Sequence, residues 1–170
     1  MRMDRRQKLT ASDVINKYSE KDLAELFIKY GEESPGRAAM FARIIVHHRP
    51  IKTTRELAEL IRVRWHGYSK THPATKIFQA VRIEVNDELG EIERALPILP
   101  KLMNKNGRVG IITFHSLEDR LVKDYFREAS SHGEESELRI ITKKPIVAGN
   151  EEIAINPRSR SAKLRVAERN

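Results

Sequence analysis

Phe114-His115-Ser116-Leu117-Glu118-Asp119 sets an imidazole, a hydroxyl and two carboxylates within one short stretch. Side chains of these types can orient an amine, hold a proton or pin a loop. Ser116, with Asp119 three residues on, has capping-box spacing, which predicts that Ser116 N-caps the helix that follows. Glu118 falls among Leu117, Leu121, Val122 and Tyr125 on the helical wheel. Its burial calls for a cationic partner, so a structural ion pair is favoured over a catalytic acid. His115 and Ser116 are the candidate cleft residues, with loop positioning through the Ser116 cap favoured over direct catalysis.

A second cluster, Arg64-Trp65-His66-Gly67-Tyr68-Ser69-Lys70-Thr71-His72, interleaves rings with cations. That mixture stacks on unpaired bases while tracking phosphates. The other reading is a solvated loop with Trp65 plugging a helical core. A third set, Thr75, Gln79, Arg82 and Asn86, shares one carboxylate-free face of a helical run, suited to hydrogen-bonding an RNA strand or to packing on a neighbouring helix. His47 and His48 make no metal pair, because adjacent helical residues point about 100° apart; a polar cluster at a helix C-terminus fits better.

The elements that must position these groups read as helices first and strands later. Ser12 is predicted to cap a short helix over Asp13 to Tyr18, and Ser19 with Asp22 to open a second one bearing Leu23, Leu26, Phe27 and Tyr30, ended by Gly31. Ser34-Pro35 starts a third helix carrying Phe41, Ile44 and Ile45, stopped by Pro50. Thr53 and Glu56 form a capping box before Leu57, Leu60 and Ile61. From Pro73 to Met103 one apolar stripe (Ile77, Phe78, Val81, Val85, Leu89, Ile92, Leu96, Leu99, Met103) persists at helical spacing. A single helix of that length would outrun a small domain, so a break is expected near Gly90 and a disturbance at Pro97 or Pro100.

Val109, Ile111, Ile112 and Phe114 form a short apolar run after Asn106-Gly107, which reads as a strand covered on both faces. A helix over Leu117 to Glu128, a loop over 132–136, a strand over Leu138 to Thr142, a helical turn over Asn150 to Ile155 and a strand over Lys163 to Ala167 complete the order. Functional groups in open α/β sheets collect at strand ends such as His115-Ser116.

Charge narrows the partner. The 170 residues carry a formal net charge of +8, which favours a polyanion because Lys and Arg that neutralise phosphates release counterions. From Arg62 to Arg82 there are Arg62, Arg64, Lys70, Lys76 and Arg82 and no acid, and the tail gathers Arg158, Arg160, Lys163, Arg165 and Arg169 against Glu168. The expected RNA contacts are therefore Arg62, Arg64, Trp65, Tyr68, Lys70 and His72, then Lys76, Gln79, Arg82 and Asn86, and in the tail Arg158, Arg160 and Lys163. The absence of cysteine excludes disulfides and thiolate chemistry within these residues and points to a reducing cytoplasm. No apolar run approaches the roughly 18 residues of a membrane span, and no metal site is expected.

THPATKIFQAVRIEVNDELGEIERALP (Thr71 to Pro97), GRVGIITFHSLEDRLVKDYFRE (from Gly107) and the tail NPRSRSAKLRVAER, together with MRMD at Met1 to Asp4 and TASDVINKYSEKDLA at Thr10 to Ala24, closely resemble the small-subunit ribosomal RNA cytosine-N4 methyltransferase family of MraW or RsmH type. The resemblance implies methyl transfer from S-adenosylmethionine to the exocyclic amine of a cytosine in small-subunit rRNA. In that family the segment similar to MRMD lies well inside the protein, after a glycine-rich loop, a ribose-holding acid and a motif facing the reacting base. None of these motifs stands in this sequence, so the cofactor's binding residues are not expected here.

The expected fold is α/β: a helical insertion over 1–72 that recognises rRNA, then over 73–170 the C-terminal strands and helices of an incomplete Rossmann-like class I methyltransferase sheet. The expected partners are small-subunit rRNA or the small ribosomal subunit, with a homodimer or a separately encoded N-terminal half alongside. Two other readings stay open, a non-catalytic RNA-binding module and an inactive remnant of the family with an unpaired sheet edge.

Overall fold

The computed structural model describes residues 1–65, 72–131 and 136–170. They form two compact units, Met1–Glu88 and Leu89–Asn170, each with its own hydrophobic core.

Five helices of the first unit are α1 (Ala11–Lys17), α2 (Glu20–Lys29), α3 (Pro35–His47), α4 (Thr54–Arg64) and α5 (Thr75–Asn86). Capping boxes at Ser19/Asp22 and Thr53/Glu56 start α2 and α4 as expected. α1 begins two residues earlier than Ser12 would place it, because Thr10 accepts from Asp13 N and Asp13 reaches back to the Thr10 amide. Each such cap is worth about 1 kcal/mol. Gly31 follows α2 where a Cβ would lie 2.7 Å from the Phe27 carbonyl oxygen, so no larger residue fits. Leu23, Phe27, Phe41, Ile45, Ile61 and Ile77 are fully buried together. Asn16 ties α1 to the segment after α3 by exchanging two hydrogen bonds with the Ile51 backbone, at 2.8 and 2.9 Å.

The break expected near Gly90 falls at Asp87. Asp87 takes a left-handed conformation (φ 50°) and ends α5, while Gly90 stays inside the next helix, α6 (Glu88–Ala95). A short polar side chain tolerates that backbone, so no glycine is needed. Pro97 and Pro100 disturb the run as expected, each near the start of a short turn: a 3₁₀ turn over Leu96–Ile98 and α7 (Leu99–Leu102). The long apolar stripe consequently serves two cores. Ile77, Val81 and Val85 enter the first, and Ile92, Leu96, Leu99 and Met103 the second. α5, expected with the sheet in a division at 72/73, packs with α1 and α2 in the first unit.

The second unit holds an antiparallel sheet of β1 (Arg108–Thr113), β2 (Leu138–Ile140), β3 (Ile146–Val147) and β4 (Lys163–Arg169), in the order β1-β4-β2 with β3 also pairing β4. β4 runs two residues past the predicted end, and β3 has no counterpart in the sequence reading. α8 (Ser116–Ala129) packs Val122 and Phe126 against the face bearing Val109, Ile111, Ala167 and Leu138. α9 (Asn150–Ile155) and a 3₁₀ turn over Pro157–Ser161 precede β4. β1 was expected to be covered on both faces. Within this unit only one face is covered, and outward-facing Ile112 and Phe114 are 59% and 53% exposed. Among the described residues β1 pairs only with β4, and no helix is long and apolar enough to cross a membrane.

Candidate functional site

The joint between β1 and α8 is built differently from the sequence expectation. His115, not Ser116, is the N-cap: its Nδ1 accepts from Glu118 N at 3.4 Å, and Ser116 becomes the first helical residue. The acid of the capping box is Glu118, not Asp119, and one of its carboxylate oxygens accepts from the amides of Phe114 (2.7 Å) and His115 (3.3 Å). An imidazole Nδ1 holds an acceptor lone pair at about the reach of an asparagine oxygen, which is why histidine can take this place. With Nδ1 accepting, the ring proton belongs on Nε2, which lies 3.2 Å from Glu118 Oε1 without hydrogen-bond alignment.

In place of the expected cation, Glu118 has two backbone amides as partners, with the His115 ring beside it. Burial, the largest single influence, pushes the Glu118 pKa up. The nearby His115 imidazole and the backbone donors together outweigh it and hold the carboxyl below its ordinary value.

Asp119, freed from the cap, faces the sheet. Arg165 Nε donates to its Oδ1 at 2.7 Å, and Arg165 Nη2 and Lys163 Nζ reach Oδ2 at 3.1 and 3.3 Å. The Arg165 side chain is only 8% exposed and that of Asp119 12%. The guanidinium, ahead of the opposing effect of burial, keeps the Asp119 pKa below the usual aspartate range. The sequence reading missed this lock. Its one signal was the cations at alternate positions of β4, Lys163, Arg165 and Arg169, which line one face of a strand and require an acid opposite. On the other face of β4, Glu168 bonds Arg108 of β1 (2.9 Å) and Arg139 of β2 and stays ionised below its ordinary range, chiefly through Arg108.

The expected RNA contacts divide into committed and open side chains. In the first unit, Arg82 forms a two-nitrogen bond with Glu88, with a closest approach of 2.8 Å. Asn86 is 7% exposed and binds the backbone of Met1, Met3 and Arg82. Gln79 donates to the Tyr30 carbonyl at 2.9 Å. These three hold the unit together, which is the packing alternative of the sequence reading. Trp65 ends α4 and stacks near Phe41, against the helical core. Arg62, Arg64, His72 and Lys76 are exposed; Arg62 pairs with Glu59, Lys76 donates to the Glu32 carbonyl, and His72 Nδ1 accepts from Ala74 N. Tyr68 and Lys70, with His66, lie outside the described residues. In the second unit Arg158 and Arg160 are exposed, and Lys163 is shared with Asp119.

A family model described as the MraW methylase family matches residues 1–170. The ribosomal RNA small subunit methyltransferase H of Synechocystis sp. is 51% identical over 173 residues, covering 99% of this chain and 54% of that protein. Proteins of the same name from Trichormus variabilis and Nostoc sp. are 54% and 52% identical over 172 residues, each again covering 99% of this chain and 54% of the relative. The chain therefore spans about half the length of the curated relatives it matches.

Proposed function

The chain belongs to the MraW methylase family, and from that premise we propose that it supplies the rRNA-gripping helices and part of the sheet of an enzyme that moves a methyl group from S-adenosylmethionine to N4 of a cytosine in small-subunit rRNA. The observation that carries this reading is identity above half, over nearly every residue, to proteins named as small-subunit rRNA methyltransferases. Supporting it, the strand order β1-β4-β2, with α8 on one face and a free β1 edge among the described residues, suits the far side of a larger methyltransferase sheet.

The cytosine N4 lone pair is delocalised into the ring, so in-line attack on a sulfonium methyl needs acceptors that orient the amine and a scaffold that holds base and donor in register. The sulfonium donor supplies the methyl group. The carboxylates at the β1 end do not fit a ribose: Glu118 is spent on amides and Asp119 on two cations. What these residues do is hold the strand end, with His115 and Glu118 fixing the turn and the Asp119–Arg165 pair fixing α8 to the sheet. His115 thus serves as a positioning residue. Arg62, Arg64, His72 and Lys76, with Arg158 and Arg160, offer exposed side chains for phosphates.

The test is a chimaera in which this chain replaces the matching half of the Synechocystis relative. Incubated with labelled S-adenosylmethionine and small subunits, it is expected to label N4 of a cytosine in the rRNA. A chimaera that folds and binds rRNA but transfers no methyl group to it would favour the non-catalytic RNA-binding alternative.

A further inference from the structure

Arg37 was singled out by no motif, yet its guanidinium is held by three neighbours at once. Its central carbon lies 5.2 Å from the centroid of the Trp65 ring, its Nε is 3.0 Å from Glu33 Oε2, and the same Nε donates to Ser34 Oγ at 3.3 Å. Behind Trp65 stands Phe41, fully buried, with ring centroids 6.3 Å apart and planes 17° from parallel. The layers therefore run from the core outward as Phe41, Trp65, Arg37.

Two features set this arrangement apart from an ordinary surface ion pair. Glu33 is a carboxylate with a side chain only 2% exposed, whereas the Arg37 side chain it faces is 45% exposed. Burying a carboxylate is costly unless a cation stays beside it, so Glu33 keeps Arg37 in place. Ser34 is the N-cap residue of α3, but its hydroxyl makes no capping bond and accepts from Arg37 instead. A helix start has given up its side-chain cap while an exposed guanidinium has gained an orienting contact. Nε makes the contacts with Glu33 and Ser34, and the Arg37 side chain remains 45% exposed.

We propose that Arg37 is the floor of a nucleobase subsite, on which one unpaired base of a single-stranded RNA stacks, with the Nη edge donating to the base or to its phosphate. A guanidinium plane stacks on bases as an aromatic ring does and adds charge, and the Trp65 ring lies beneath it at 5.2 Å. The subsite rests on the rRNA reading above and names the side chain through which the helical unit would grip an unpaired base. Trp65 acts through Arg37 and is its support, in place of the direct stacking the sequence suggested.

Trp65 is the only tryptophan of the 170 residues, so its emission reports this site alone. The full chain is titrated with oligocytidylate and with an RNA duplex of equal charge, following emission and, independently, retention of labelled RNA on filters. Oligocytidylate is expected to change Trp65 emission in step with retention, and the duplex to be retained without that change. R37A should weaken oligocytidylate binding about tenfold, the worth of one stacked base. R37K, which keeps the charge beside Glu33 but loses the plane, should weaken it nearly as much, and S34A by a few-fold. Filter retention with no change in Trp65 emission, or R37K binding as tightly as the parent, would overturn the subsite while leaving rRNA binding intact. No retention of either RNA would overturn the rRNA reading and the subsite with it.

Discussion

Both units pair buried carboxylates with arginine, Glu33 with Arg37 and Asp119 with Arg165, but they differ in how much apolar core stands beside those pairs. The helical unit is closed: capping boxes at Thr10, Ser19 and Thr53 start three of its helices, and large side chains such as Phe27, Phe41 and Ile61 are wholly out of water. The sheet unit has a smaller core of Leu96, Val122, Phe126, Leu138 and Ala167. It relies on carboxylates clamped by cations, Asp119 between Arg165 and Lys163 and Glu168 between Arg108 and Arg139. Apolar burial is indifferent to pH and tolerant of salt, whereas clamped carboxylates are neither. The contrast also fits the proposed roles of a gripping body and a part of a methyltransferase sheet, in which Ile112 and Phe114 lie exposed and, among the described residues, β1 pairs only with β4.

The comparison can be broken most forcefully in the helical core. F41A removes a fully buried ring and should cost about 3–5 kcal/mol, read from urea unfolding followed at Trp65; a loss under about 1 kcal/mol would mean that the layer beneath Trp65 is not a packed core. In the sheet unit, R165M leaves Asp119 buried with Lys163 alone. The expected cost is about 2–3 kcal/mol, below that of a fully orphaned ion because one cation remains. D119N should couple strongly with R165M in a double-mutant cycle, and additive losses would show that the pair is not a lock.

Acid separates the units next. The folded pKa values of Glu118, Asp119 and Glu168 lie below their ordinary values. Their contribution is therefore complete above the unfolded carboxylate pKa, near 4, and is lost as pH falls through the folded values. Between about pH 5 and 3 the amides of β1 and β4 should lose exchange protection more steeply than those of α2 and α3, which are held chiefly by the apolar core of Leu23, Phe27, Phe41 and Ile45. Parallel loss in both units would contradict the assignment. The smallest effect is expected at the turn itself: H115A should cost about 1 kcal/mol as a lost N-cap, and H115N should restore most of it because asparagine caps well. Equal losses in H115A and H115N would show that His115 does something other than cap.

Local signals were legible in the sequence and distant ones were not. Ser19/Asp22, Thr53/Glu56 and Ser34-Pro35 marked helix starts because caps act across three residues of one chain segment. The same logic misplaced the β1–α8 cap by one residue, since His115 offers its acceptor through a ring nitrogen and is seldom read as a cap. Asp87 ended α5 through a backbone conformation that composition does not announce. The Asp119–Arg165 lock and the Arg37–Trp65 contact join residues far apart in the chain, so only the folded arrangement reveals them. For the same reason the polar stripe of Gln79, Arg82 and Asn86 looked available and proved to be holding the helical unit together.

The claim on which the functional account stands is that this chain grips small-subunit rRNA largely through exposed cations. Its most direct test is the affinity of the full chain for a small-subunit rRNA fragment across a salt series, for the parent and for a variant with Arg62, Arg64 and Lys70 all changed to Ala. The account expects log affinity to fall linearly with log salt, and the variant to bind more weakly with a shallower slope. Affinity that ignores salt, or a variant indistinguishable from the parent, would contradict it.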